Sequence, residues 1–164
     1  MININTERCL ITSMAQTDYS DVKTLYNSPK VRKYLGGVLN DNQFSKKYED
    51  FLNNKEGAYF TVRLKADDSF IVLISIDPHH EKEHKEISYQ ISEAAMGKGY
   101  ATEVVKAVMS YAFNDMQVND LAAETQKNNV ASVNLLKKLG FIRRNDVERF
   151  GEIQSIFIYK KTHL

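Results

Sequence analysis

The stretch Ile87-Ser88-Tyr89-Gln90-Ile91-Ser92-Glu93-Ala94-Ala95-Met96-Gly97-Lys98-Gly99-Tyr100-Ala101-Thr102-Glu103-Val104-Val105 decides how this chain is organised. Its first six residues alternate apolar and polar, the period of a half-buried strand. From Tyr100 onward, Ala101, Val104, Val105, Val108 and Ala112 recur on one helical face, with Glu103, Lys106 and Ser110 on the other. Between strand and helix stands Gly97-Lys98-Gly99. Such a turn aims unpaired backbone N–H groups and the positive end of the helix dipole at one point, and so makes an anion site. Glycine permits the backbone angles that turn amides inward and leaves room for close approach, and Lys98 adds charge at the rim. The same turn is equally compatible with a plain tight connection, so its surroundings have to decide.

Upstream, Cys9-Leu10-Ile11-Thr12 reads as a short strand, and Thr17 or Asp18 can cap a helix carrying Val22, Leu25 and Tyr26. A second helix is expected near Asp41, with Phe44, Tyr48, Phe51 and Leu52 at helical spacing. Tyr59–Leu64 and Phe70–Ile76 are rich in aromatic and β-branched residues, and the turn at 65–69 pairs them antiparallel. Downstream, Leu121–Thr125 fits a strand. A helix from about Val130 carries Val133, Leu136 and Leu139, with Asn129 as its cap and Gly140 as a left-handed stop. Phe141-Ile142 begins another strand, Asp146 to Glu152 is expected to be a loop, and Ile153–Tyr159 is the last strand. The order is β, α, α, β, β, β, α, β, α, β, β, a mixed α/β fold in which helices pack on a sheet.

With 164 residues the chain is long enough for one substantial core and too short for two ordinary domains, so a single domain over 1–164 is expected. Apolar residues make up 43% and charged residues 26%, which argues against disorder. The balance of 22 Lys and Arg against 21 Asp and Glu gives a net charge of +1 and no global pull towards nucleic acid or anionic lipid. Any anion must be held locally. A lone cysteine, Cys9, forms no internal disulfide; it reads as a small buried hydrophobe and fits a reducing cytoplasm. No apolar run approaches the roughly 20 residues of a membrane span, and no cationic, then apolar, leader opens the chain. His79, His80 and His84 are expected in a solvated loop. No Cys or helical His pair completes a ligand set with them, so no metal site is expected.

Two familiar phosphate sites fail. The Walker pattern requires Gly-Lys-Ser/Thr after four intervening residues, whereas Gly99 precedes Tyr100. The dinucleotide fingerprint requires a third glycine where Thr102 stands, within a parallel βαβ unit. What the segment does resemble is the ordered signature set of the GNAT N-acetyltransferases: Tyr89 in Ile-Ser-Tyr-Gln-Ile, then Gly97-Lys98-Gly99-Tyr100-Ala101-Thr102-Glu103, then Asn129-Val130-Ala131-Ser132, then Leu139-Gly140-Phe141. Thr6-Glu7-Arg8-Cys9-Leu10 and Pro29–Leu35 extend the likeness to the opening residues, and the RimJ/RimL-like branch is the nearest. The resemblance implies a mixed, mostly antiparallel central sheet flanked by helices.

It also implies acetyl-CoA as co-substrate and an amine as acceptor, either a protein N-terminus or a small molecule. By the resemblance, amides of Gly97, Lys98, Gly99, Tyr100, Ala101 and Thr102 hold the pyrophosphate, and the backbone of Ile91 and Ser92 pairs with the pantetheine arm as an added strand does. Asn129 matches the asparagine beside the coenzyme, a role that competes with plain N-capping. Ser132 matches a serine of the RimJ/RimL-like branch able to bond the thioester sulfur; a small helix-packing residue is its other reading. Glu86 stands where several members carry a glutamate base, and a solvated surface residue is the alternative. There are departures: Ala94 replaces a frequent Gln or Arg, and Leu136 the tyrosine that often protonates the thiolate.

Amines are mostly protonated at neutral pH, with pKa near ~8 for an α-amine and ~10.4 for lysine, so a base or water relay is needed. Tyr89 is a second polar candidate. No nucleophile dyad is visible, which favours direct attack with an oxyanion held by a backbone N–H near Ile91. The acceptor groove is expected from Ser28–Phe51 and the loop 146–152. A coenzyme-binding module without catalysis is the rival reading.

Overall fold

The computed structural model describes residues 1–161. Eight strands form one sheet: β1 (Asn3–Asn5), β2 (Cys9–Ser13), β3 (Ala58–Leu64), β4 (Phe70–Pro78), β5 (Lys85–Ile91), β6 (Asp120–Gln126), β7 (Ile142–Arg149) and β8 (Glu152–Lys160). Their spatial order is β1-β2-β3-β4-β5-β6-β8-β7, and every neighbouring pair is antiparallel except β5 with β6. Four helices accompany it: α1 (Tyr19–Tyr26), α2 (Asp41–Asn53), α3 (Tyr100–Asn114) and α4 (Val130–Lys138). This is the mixed, mostly antiparallel arrangement expected from the sequence.

Local chemistry sets the element ends. At α2 the Asn40 side chain accepts the Gln43 N–H at 2.8 Å while the Gln43 side chain accepts the Asn40 N–H at 3.0 Å, a reciprocal capping box. At α4 the Asn129 side chain accepts the Ser132 N–H at 3.3 Å. Gly140, at φ +97, ends that helix region in a conformation closed to L side chains.

Strand parity divides the core. Ile74, Ile76, Ile87, Leu121, Ala123 and Phe157 point to the side of α3 and α4, where Val104, Val105, Val108, Ala112 and Leu136 bury their apolar stripes. Leu73 points the other way, into a cluster with Val22, Leu25 and Tyr26 of α1 and Phe44 and Tyr48 of α2. Cys9 is fully buried in the first cluster, the small-hydrophobe role its sequence suggests. No helix among the described residues is long and apolar enough to cross a membrane.

Three expectations need correction. The Asn3–Asn5 strand is absent from the seven expected; it is too short and polar to show a period, and pairs with β2 through Asn3↔Thr12 and Asn5↔Leu10. Residues 146–149 are not loop but the end of β7, so the connection to β8 is only Phe150-Gly151, both with positive φ (58 and 75) as a tight hairpin requires. The largely charged sequence of β7 hid it, because an edge strand tolerates exposed side chains. The β4–β5 connection is not simply solvated: His79 is 1% exposed and bonded to Glu124 of β6, and His84 lies 2.7 Å from Asp120. His80 alone of the three is exposed.

Candidate active site

The sheet splits where β5 meets β6. These strands pair only at Lys85↔Leu121 and Glu86↔Ala122, after which β5 stays with β4 and β6 with β8, and a wedge opens between them. The Ser92 N–H donates to Ile71 O at 2.8 Å, directly across from it in the β4–β5 register. Hydrogen bonding alternates along an antiparallel pair, so the Ile91 and Tyr89 amides and carbonyls point away from β4, into the wedge. Ser92 differs from Ile91. Its N–H is engaged by β4 and its carbonyl accepts the Ala95 N–H at 3.0 Å.

The glycine loop stands at the wide end of the wedge. Gly97 and Gly99 have φ of +73 and +81, and Gly99 is the N-cap of the 15-residue α3. No acceptor among the described residues takes the amide hydrogens of Gly97, Lys98, Gly99, Tyr100, Ala101 or Thr102. Six adjacent donors and the positive end of a four-turn helix therefore converge on one exposed spot.

The loop is braced from the far end of the sequence. Arg8, in the β1–β2 turn, donates to Lys98 O at 3.0 Å and to Glu103 Oε1 at 2.8 Å, and lies over the Tyr100 ring at 4.2 Å. Glu103 Oε2 accepts from Thr6 Oγ1 at 2.6 Å and from the Arg8 N–H at 2.9 Å. Burial would raise the Glu103 carboxyl, but these hydrogen bonds and the guanidinium hold it down at about 2. Arg8 and Glu103 thus fix the conformation that keeps the loop amides free.

A cavity of about 780 Å³ passes through the wedge, from Tyr89, Asn129 and Ser132 on the α4 side to the face opposite α3, where the α1–α2 connection and Phe150 of the β7–β8 hairpin border it. Glu86 lines it. Burial, then the charges of Glu124 and Asp77, push its carboxyl up to about 8. Asp77 sits directly across from Glu86 on β4; burial raises it too, although the Tyr59 hydroxyl donates to it at 2.9 Å. Glu124 donates its backbone N–H to Glu86 Oε2 at 3.2 Å, while its own carboxylate receives Arg149 Nε at 2.9 Å and His79 Nε2 at 2.8 Å. His79 Nδ1 accepts the Glu81 N–H, so Nε2 carries the proton donated to Glu124.

On the opposite wall, Ser132 Oγ lies 2.9 Å from the Tyr89 hydroxyl, which burial raises above an ordinary phenol. Asn129 caps α4 and also lines the cavity, so both readings of it are geometrically available. Leu136, where many relatives of the resembled family have tyrosine, is buried in the core. The structure therefore brings Glu86, Tyr89, Asn129 and Ser132 to one cavity, with Ile91 on the outward edge of β5 and Gly97–Thr102 beyond its end, Lys98 being exposed. Sequence reasoning missed Asp77, Glu124, His79 and Arg149. Their only signal was parity with Glu86, which becomes informative once the strand order is known. Among the described residues no group of three potential ligands could hold a metal ion.

Comparison with known proteins agrees with this geometry. The family model of the acetyltransferase (GNAT) domain matches residues 8–142. An uncharacterised N-acetyltransferase of Bacillus subtilis, YnaD, is 25% identical over 142 residues, covering 87% of this chain and 84% of its own length. An acetyltransferase (GNAT family) from Bacillus anthracis superposes with a TM-score of 0.85 at 20% identity, covering 98% of this chain and 99% of that one. Spermidine N-acetyltransferase from Vibrio cholerae, solved with CoA and spermine, superposes at 0.82 with 15% identity over 94% and 96% of the two chains. Split sheet, free loop amides and matched domain together place this chain in the GNAT acetyltransferase family.

Proposed function

We propose that the protein transfers the acetyl group of acetyl-CoA to the primary amine of a small acceptor, by direct attack within a ternary complex. The observation that carries this reading is the wedge between β5 and β6, with free loop amides at one end and the half-buried Glu86 carboxyl in the cavity. The residues fit the coenzyme. Anions suit the amides of Gly97 to Thr102, and an extended arm suits the outward-facing edge of Ile91 and Tyr89. Ser92, with its N–H engaged by β4, borders this edge rather than donating from it. As part of this reading we assign the chain to the RimJ/RimL-like branch, supported by the sequence resemblance of Asn129–Ser132 and of its opening residues.

Bound acetyl-CoA supplies an activated acyl carbon and a thiolate leaving group. Glu86, with a pKa of about 8, is matched to an amine and takes its proton as the N–C bond forms. The backbone N–H of Ile91 faces the wedge and donates to the developing oxyanion. Ser132 donates a hydrogen bond from its hydroxyl to the departing sulfur, oriented by the Tyr89 hydroxyl at 2.9 Å, and the thiolate takes its proton from solvent. This pair takes the place left by Leu136. The cavity of about 780 Å³ is of small-molecule size, which favours a small acceptor over a protein N-terminus.

Calorimetric titration with acetyl-CoA, thiol release on an amine panel and mass spectrometry of the products test the proposal. Binding followed by a product heavier by one acetyl group is expected. Coenzyme binding with no thiol release from any amine would instead support a non-catalytic coenzyme-binding module.

A further inference from the structure

Arg32 is 8% exposed, yet among the described residues it has no carboxylate partner. Buried guanidinium groups are ordinarily paired, because an uncompensated charge loses its hydration without return. Arg32 is instead held by neutral groups. Nε donates to Gly37 O at 2.9 Å, Nη1 donates to Gln90 Oε1 at 3.3 Å, and the plane rests on the Tyr26 ring at 4.5 Å. Gln90 is fixed in turn by donating to the Tyr26 hydroxyl at 2.9 Å. Nη2 has no acceptor among the described residues. It nevertheless keeps contact with open space, since no fully enclosed side-chain nitrogen or oxygen lacks a partner. The space it can reach is the cavity that Arg32 lines together with Glu86.

The cavity is therefore bipolar. Asp77, Glu86 and Glu124 occupy one end, on adjacent strands and one face. Arg32 and Gln90 occupy the other, four residues along β5 from Glu86, a spacing of roughly 13 Å between backbones. We propose that the acceptor is an amine that also carries a carboxylate, an amino acid whose reacting amine stands at the end of its side chain, so that its anionic group takes the free edge of Arg32 while that amine reaches Glu86. A planar guanidinium with an open edge matches a carboxylate by paired, charge-assisted hydrogen bonds. This inference rests on the acetyl-transfer reading of the same cavity.

The test compares amino acids with their matched carboxamides, each kcat/KM corrected for the fraction of neutral amine, and with spermidine. Loss of charge-assisted bonds corresponds to a preference for the carboxylate on the order of 10- to 100-fold. In Arg32→Gln that ratio should collapse towards one, whereas a purely structural role would lower both substrates together and preserve it. The comparison in the unaltered protein stands even if the variant fails to fold. A second readout is calorimetry of N-acetylated amino acids, against their carboxamides, on the CoA-bound protein; tighter binding of the carboxylate is expected. Equal use of carboxylate and carboxamide, or a preference for spermidine, overturns the anionic subsite while leaving acetyl transfer intact. Thiol release from no amine at all overturns the acetyl-transfer reading, and equal calorimetric affinities would then remove the anionic subsite as well.

Discussion

Glu86 Oε2 accepts the backbone N–H of Glu124 at 3.2 Å, at the point where β5 and β6 stop pairing. One hydrogen bond thus ties the carboxyl with the strongly raised pKa to the opening of the wedge. Removal of proton-accepting capacity there is the sharpest test of chemistry. Glu86→Gln keeps the shape and the acceptor oxygen, and should lower kcat by about 10²-fold or more while sparing acetyl-CoA affinity. In the parent protein kcat should climb with pH through about 8, as Glu86 loses its proton, and this limb should vanish in the variant. A retained limb with normal kcat would show that another group is the base.

The same carboxyl makes stability depend on pH. It binds its proton up to about pH 8 in the fold but only to 4.5 in the unfolded chain, so the folded state holds more protons between those values. Its contribution is fully present below 4.5 and is lost as pH rises through about 8. Glu86→Gln, which cannot ionise, should match the parent near pH 4 and exceed it at pH 9, by roughly 1–4 kcal/mol. Denaturant unfolding at the two pH values reads the difference.

The coenzyme loop can be tested apart from the fold. A Cβ at Gly97 meets nothing within 4 Å, so Gly97→Ala costs only the strain of φ +73, about 1 kcal/mol. Gly99→Val places a branched side chain at φ +81 and 3.4 Å from Arg8 Nη2, disturbing the brace as well. It should weaken acetyl-CoA binding by an order of magnitude or more while circular dichroism stays native. Arg8→Ala, which frees the Lys98 carbonyl, should act in the same direction by calorimetry.

Ser132→Ala removes the hydroxyl facing the wedge but leaves the Asn129 cap bonded to the backbone N–H of residue 132. We expect kcat to fall by about 10- to 100-fold, with acetyl-CoA affinity nearly unchanged. Tyr89→Phe should give a smaller loss, and the double variant should lose less than the product of the two because the hydroxyls act in series. Multiplying losses would indicate independent roles.

Much of this protein was legible along the chain. Local patterns located all four α-helices and seven of the eight strands of the described residues, the glycine turn marked the start of α3, and the order of motifs pointed to the family. Those features are local: alternation, capping and positive φ depend on residues a few positions apart. Local signals failed for Asn3–Asn5 and for the end of β7, whose polar composition makes sense only at the sheet edges. Beyond the β3–β4 hairpin, tertiary structure decided which strands are neighbours, and hence that β5 and β6 separate. It put Glu124, Asp77 and Glu86 side by side, buried His79, and left Arg32 facing a cavity without a counter-charge. A pKa near 8 or an unpaired guanidinium is set by burial and by charges dozens of residues away, and neither quantity is written in any short stretch of sequence.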